Sequence, residues 1–594
     1  MPMMHKNTLP QKTKEVMQAL MQVALGAEPA DLVLLNADLV NVYTGEIQKN
    51  MGIAVKGRWI ARVSAEVQDT VGPATRVIDA AGRTIVPGLI DGHTHLAWIS
   101  TAAQFVPFAA AAGVTTVITE TLEPYPVAGL SGVLDFLDSF REQPIRILAT
   151  APAMVSISGA AKGISPDDMN LLMQRDDILG LGESYWQSVL QEPETYLPSF
   201  QQTHQAGKVL EGHSAGASEK KLAAYVAAGI TSCHEPIDAE QVLARLRLGV
   251  HVMVREGSIR RDLEAISRIR STGVDLRRLI LASDGASPQD LMQGKYMDCV
   301  VRKAMACGFT PVEAIQMATL NVAEHFRLDG ILGGIAPGRL ADMVVLPNLT
   351  EFKPETVICD GEVIFESDRL LKAPRRHAFS SRSLNTVNLP RRLTPSDFVI
   401  HSQADVSTAR MRVIEMVTDL VTAERHLDLP VADGELKADP DGGICKIAAI
   451  DRTHVPGKMF TGLIKGFGLT RGAVACSGAW DSSDIVVVGA NDADMAGAVN
   501  RLADNQGGAV LCVDGRIPAE IPMPIFGLAC DLPIATLAAH LEDFKQATAR
   551  LGVTFPDPLL SLNTLTGAAI PYLRICEEAL VNLKDGKSVG LFVS

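Results

Sequence analysis

The chain has 594 residues, 47 % of them hydrophobic, enough apolar material for roughly two to four structural units with cores of their own. A formal net charge of -14 excludes a basic surface for nucleic acid or anionic lipid, and nine cysteines without a Cys-x-x-Cys pair read as reduced thiols of a cytoplasmic protein. Residues 1–20 lack the apolar stretch of a signal sequence, and no apolar run is long enough to span a bilayer.

In chain order, residues 1–30 read as an N-terminal extension. Short apolar runs at 32–35, 38–42, 52–55 and 59–63, separated by Asn, Gly and Lys turns, predict a small β domain over 31–83. From Thr84 the texture changes to apolar runs of about five residues alternating with helix-like segments. Eight such runs (84–90, 114–118, 145–149, 178–181, 208–210, 229–231, 249–254 and 279–282) predict an α/β fold, a (β/α)8 TIM-like barrel over 84–329. A doubly wound open sheet alternates in the same way. Residues 330–370 return to short strands around Pro337-Gly338-Arg339-Leu340-Ala341-Asp342, and 371–395, rich in Arg, Ser and Pro, read as a linker. The remainder, 396–594, predicts an α+β domain with strands near 485–488 and 510–513.

Polar residues fall at the ends of these runs. In His93-Thr94-His95 two imidazoles lie one residue apart on an extended segment, so both point to one face and make half a metal site. Later runs end in Glu183, in Glu211-Gly212-His213, in Cys233-His234-Glu235 and in Ser283-Asp284-Gly285. Any one of these histidines is ordinarily a satisfied residue at a core edge. Their succession at strand ends, where barrel chemistry sits, instead describes a two-metal centre. His93, His95 and Asp284 are expected to hold one ion, His213 and His234 the second, and Glu183 to bridge them. Such a pair of cations provides hydroxide near neutral pH, with Asp284 placed to take its proton and pass it to a leaving group. Lys208 begins a strand and stands at the wrong end for a ligand. His540-Leu541-Glu542 reads as a solvated helix face, and Asn505-Gln506-Gly507-Gly508 as a turn.

The run Val86-Pro87-Gly88-Leu89-Ile90-Asp91-Gly92-His93-Thr94-His95 resembles the first barrel strand of the amidohydrolase superfamily. A narrower resemblance, to the adenine deaminases, spans about residues 30 to 575. It rests on Gly180-Leu181-Gly182-Glu183, Arg255-Glu256-Gly257-Ser258, Ala318-Thr319-Leu320-Asn321, Gly462-Leu463-Ile464-Lys465-Gly466-Phe467-Gly468 and Gly489-Ala490-Asn491-Asp492-Ala493-Asp494-Met495. It implies a small β-sandwich domain beside the barrel and an adenine-deaminase-type C-terminal domain. The implied reaction is hydrolysis of adenine, or a close 6-aminopurine, to the 6-oxopurine and ammonia. Two divalent ions are expected, Mn or Fe first by this resemblance, Zn fitting the same ligands. Asp284 and Glu183 are the expected proton-transfer groups, and Arg255, Glu256 and Ser258 the expected lining of the purine pocket. A homo-oligomer, dimer or larger, is expected.

The chain also departs from that family. Leu96-Ala97-Trp98-Ile99 stands where Ile-Glu-Ser-Ser is usual, Glu120-Thr121-Leu122-Glu123 where Asp-Pro-His-Glu is usual, and Trp480-Asp481-Ser482-Ser483-Asp484 where His-Asp-Ser-His-Asn is usual. Ala97, Leu122 and Trp480 predict a more apolar mouth and a shifted substrate preference. Two alternatives stay open: hydrolysis of a cyclic amide or N-substituted purine, and a non-catalytic purine-binding homologue. Retention of all six ligand positions weighs against the second, since a buried charge cluster is costly to keep.

Overall fold

The computed structural model describes residues 9–402 and 406–593. Eight strands build the barrel: Leu89–Thr94, Val114–Thr119, Arg146–Ala151, Ile178–Tyr185, Val209–His213, Ser232–Cys233, His251–Arg255 and Leu279–Ala282. The first five form one parallel ladder and the last three another. The Thr231 N–H donates to the Leu210 carbonyl (2.9 Å) and the Asp284 N–H to the His93 carbonyl (3.0 Å), closing the ring at both seams. Period-two alternation sorts the apolar residues: Leu89, Val117, Ile147, Leu210, Val252 and Leu279 join the core beneath the surrounding helices. Their neighbours Ile90, Ile118, Leu148, Val209, Met253 and Ile280 fill the interior in a second core. Helices start where side chains satisfy free backbone N–H groups, as Ser165, Asp238 and Thr310 do.

The expected first run, 84–90, proves to be two strands. Thr84–Pro87 pairs antiparallel with Met343–Leu346 and belongs to the small β domain. The chain then breaks at Gly88, where a Cβ would lie 2.2 Å from Thr115 Oγ1, and re-enters as the barrel strand. Runs 32–35 and 38–42 are likewise one strand, Leu32–Asn41, whose register shifts around Asn36 at φ +57°. With 46–56, 59–64, 76–79, 84–87 and the four strands between 343 and 370 it forms a nine-stranded sheet drawn from both flanks of the barrel. The helix Lys14–Ala24 buries Leu20 and Val23 against it.

The C-terminal region holds an eight-stranded sheet from Thr408–Met416 to Arg516–Pro522. Its central strands alternate, Ile447, Ala449, Val486 and Val488 entering the core shared with helix Ile534–Ala549. Ala448, Ile450, Ile485 and Val487 enter the one shared with Asp492–Asp504. Residues 371–395, expected as a linker, are strapped to the barrel: His377 and Ser383 bond to Asp135, and Gln143 donates to the Arg375 carbonyl. A second tie is a two-stranded parallel sheet between Ile99–Ser100, just after His95, and Ala529–Cys530. Among the described residues no helix is long and apolar enough to cross a membrane.

Candidate active site

The carboxyl ends of the strands bring together His93, His95, Glu183, His213, His234 and Asp284. Asp284 Oδ1 stands 3.4 Å from both His93 Nε2 and His95 Nε2. Glu183 Oε2 lies 3.0 Å from both His213 Nδ1 and His234 Nε2, while its Oε1 is 3.7 Å from His95 Nε2. Glu183 thus stands between the two histidine groups. The His93 and His234 rings stack at 4.3 Å.

Three donor sets have mutual distances within 4.8 Å: His93, His95, Asp284; His93, Glu183, His234; and His213, His234, Glu235. Glu235 is the addition to the expected ligand group. The sixth strand ends at Cys233, so His234 and Glu235 lie beyond it, free of the alternation that sends neighbours to opposite faces. That early end is invisible in the sequence. The buried His93 Nε2 and His213 Nε2 have no hydrogen-bond partner, as do Glu120 Oε2 and Glu123 Oε2. Imidazole lone pairs and carboxylates converging with their donor positions unfilled fit divalent cations.

Electrostatics keep the carboxylates ionised. Burial opposes the charge on Glu183, but hydrogen bonds from His213 and His234 outweigh it and hold the group well below the usual range. Burial likewise opposes Asp284, and the close approach of the His93 and His95 imidazoles, together with the Arg255 charge, holds it low. Glu120, with no such cation bonded to it, is pushed up to about 8 by burial and by the Glu183 charge. Asp284 sits at φ +54°, left-handed backbone held by its N–H bond to His93 and by a buried network. In that network Asp91 accepts from the Ser283 N–H, the Ser283 hydroxyl and the Tyr296 hydroxyl.

The cavity above these groups measures about 190 Å³. Arg255 lines it, bonded to Glu235, Asp262 and Asp284. Glu256 and Ser258, expected beside it, do not line it: Glu256 pairs with Lys303 at 2.7 Å and Ser258 donates to Asp290 at 2.7 Å. Successive residues leaving the seventh strand take opposite sides, and the chain turns at Gly257, where a Cβ would lie 1.9 Å from the Ser283 carbonyl oxygen. Of the three residues expected to make the mouth apolar only Trp480 lines the cavity; Ala97 and Leu122 are buried elsewhere. Lys208 bonds to the Arg175 and Ile178 carbonyls at the strand starts, far from the mouth.

Glu123 accepts from, or shares a proton with, His95 Nδ1 at 2.6 Å, fixing that ring. Glu123→Gln is expected to weaken metal retention or activity roughly 10- to 100-fold, read from metal content after dialysis alongside turnover. Unchanged values for both would make the contact incidental.

A barrel with histidines and carboxylates at this mouth, flanked by a split β domain, is amidohydrolase architecture, and the amidohydrolase family profile matches residues 84–364. The profile of the adenine deaminase C-terminal domain matches residues 419–587. The chain is 38 % identical to an adenine deaminase of Moorella thermoacetica, over 97 % of this chain and 98 % of that protein. It is 35 % identical to one of Dehalococcoides mccartyi (96 % and 98 % covered) and 34 % identical to one of Clostridium botulinum strain Loch Maree (98 % of each). The chain belongs to the adenine deaminase family.

Proposed function

We propose that the protein is a metal-dependent aminohydrolase that converts adenine, or a close 6-aminopurine, to the 6-oxopurine and ammonia. The observation that carries this reading is the convergence of four histidines with Glu183 and Asp284 beneath a cavity in a chain related along its whole length to adenine deaminases. His93, His95 and Asp284 would hold one divalent ion, and His213 and His234 a second, with Glu183 between them and Glu235 in reach. When bound, such ions supply a water that ionises near neutral pH and a counter-charge for the transition state. Mn and Fe are the preferred assignments, Zn the alternative.

The chain's own groups then divide the proton transfers. Asp284, ionised and on the floor of the cavity, accepts the proton that the attacking water loses as its oxygen bonds to C6. Glu183, ionised, takes the proton left on the new O6 hydroxyl and passes it to ring N1, and Asp284 returns its proton to the amino nitrogen as the C6–N6 bond breaks and ammonia leaves. Arg255 neutralises Glu235 and Asp284 and so fixes the carboxylate that must move protons. A homo-oligomer in the cytoplasm completes the proposal; light scattering returning the 63.5 kDa of one chain would remove the oligomer.

The test is ammonia release and hypoxanthine formation from adenine by protein reconstituted with Mn, Fe or Zn. Chelation is expected to abolish turnover and one of the three metals to restore it. Product without ammonia from a cyclic amide would favour that alternative, and full metal occupancy with no purine turned over would favour the non-catalytic one.

A further inference from the structure

Floor and roof of the catalytic cavity have different origins. The floor is the barrel's polar cluster. The roof comes from the C-terminal sheet region and is mainly apolar: Leu420, Val421, Trp480, Ala569, Ile570 and Pro571, with the polar Thr418 and Asp419 at the start of the Leu420 turn. Leu420 and Val421 stand at the turn between strands Thr408–Met416 and Thr422–Pro430, and 569–571 precede strand Leu573–Ile575.

Both roof segments are bound by one side chain. Arg574 is fully buried and forms no ion pair among the described residues. Its Nη2 donates to the Leu420 carbonyl (2.8 Å) and the Pro571 carbonyl (3.0 Å), and its Nε to the Ile570 carbonyl (2.6 Å). Its Nη1 has no partner, and burial pushes its pKa down to about 9. A buried arginine without a carboxylate is an expensive way to fill space, and an apolar residue packs the same position at less cost. What the planar fork alone does is hold carbonyls of two separate segments at fixed spacing. Thr422 adds backbone ties to Pro571 and Tyr572 across the same seam. Trp480 is set independently, edge-on to Trp98 of the barrel at 5.1 Å.

We propose that the C-terminal region supplies the roof that binds the face of the purine ring, and that Arg574 is the positioning residue that keeps this roof at stacking distance above the carboxylate floor. The proposal rests on the adenine reading above. Face contacts of this kind are made equally in ground state and transition state, so their loss raises KM and leaves kcat nearly alone.

The experiment compares holoenzyme variants by KM and kcat for adenine, by calorimetric affinity for hypoxanthine, and by metal content. Trp480→Leu is expected to raise KM and weaken hypoxanthine binding by roughly 5- to 100-fold, the range of base–aromatic stacking, with metal content and kcat little changed. Leu420→Ala moves both in the same direction by less. Arg574→Met reproduces the rise, and Arg574→Lys recovers part of it, because an ammonium reaches some of the same carbonyls. Unchanged KM and hypoxanthine affinity in both Trp480→Leu and Leu420→Ala would overturn the proposal even if Arg574→Met does not fold. So would a joint loss of kcat and metal, which would make the roof a prop for the metal site. Arg574 variants that lose thermal stability with KM intact would strip Arg574 of its positioning role. Wild-type protein that neither deaminates adenine nor binds hypoxanthine would instead refute the underlying reading.

Discussion

Asp284→Asn is expected to retain metal and to lose turnover by about 10²- to 10⁴-fold, the contribution of a positioned acid–base group. Asparagine offers the same oxygen to an ion but accepts no proton. It also tolerates the left-handed backbone at φ +54° better than most residues, so the loss will not come from a distorted loop. Metal per chain by mass spectrometry, beside the rate of ammonia release, reads both halves of the expectation. Near-normal kcat with metal bound would move the base to another carboxylate, Glu183 first.

Arg146→Met is the substitution expected to damage stability most, by about 3–5 kcal/mol, as when one partner of a buried ion pair is removed. Arg146 opens the third barrel strand, is buried, and bonds to Asp342 at 2.8 Å, to Asp360 at 2.5 Å and to Thr116 at 3.0 Å. It thus clamps the small β domain to the barrel. Asp342 already has its pKa raised by burial and by the Asp360 charge, with only Arg146 and hydrogen bonds opposing them. Without Arg146 the folded-state pKa rises further above the unfolded one. The deficit is therefore smallest at pH below the unfolded carboxylate range and grows as pH climbs through the folded pKa. Denaturant unfolding of both proteins at about pH 5 and pH 8 measures this; a deficit independent of pH would assign the loss to packing.

Much of the fold was legible because barrel strands are short apolar runs that repeat with helices between them. Ile118 and Leu148 in one core against Val117 and Ile147 in the other follow the plain alternation of a strand. The site was legible where strands end on ligand-type residues, as at His213 and Asp284. What the sequence hid is irregular backbone. The first strand loses register between Asp91 and Thr94, and the fourth between Leu181 and Ser184. These bulges, not simple alternation, set the aim of His93 and Glu183. Glu235 was hidden by a strand only two residues long, and the turn at Gly257 that carries Glu256 and Ser258 away from the cavity lining has no local signal. The roof was least readable: Leu420 and Ile570 are 150 residues apart and are joined through a carbonyl-binding arginine.

Domains fused end to end are commonly portable: either can be cut away, exchanged or duplicated without consulting the other. The short sheet between Ile99–Ser100 and Ala529–Cys530 denies that freedom here. Ile99 follows His95 by four residues and adopts φ +73°, a conformation steadied by its N–H bond to the Leu528 carbonyl. Any lineage or engineer that discards the distal half leaves this stretch with bare backbone donors and a left-handed residue four positions from His95. The two halves are therefore expected to keep their structure only as a single unit.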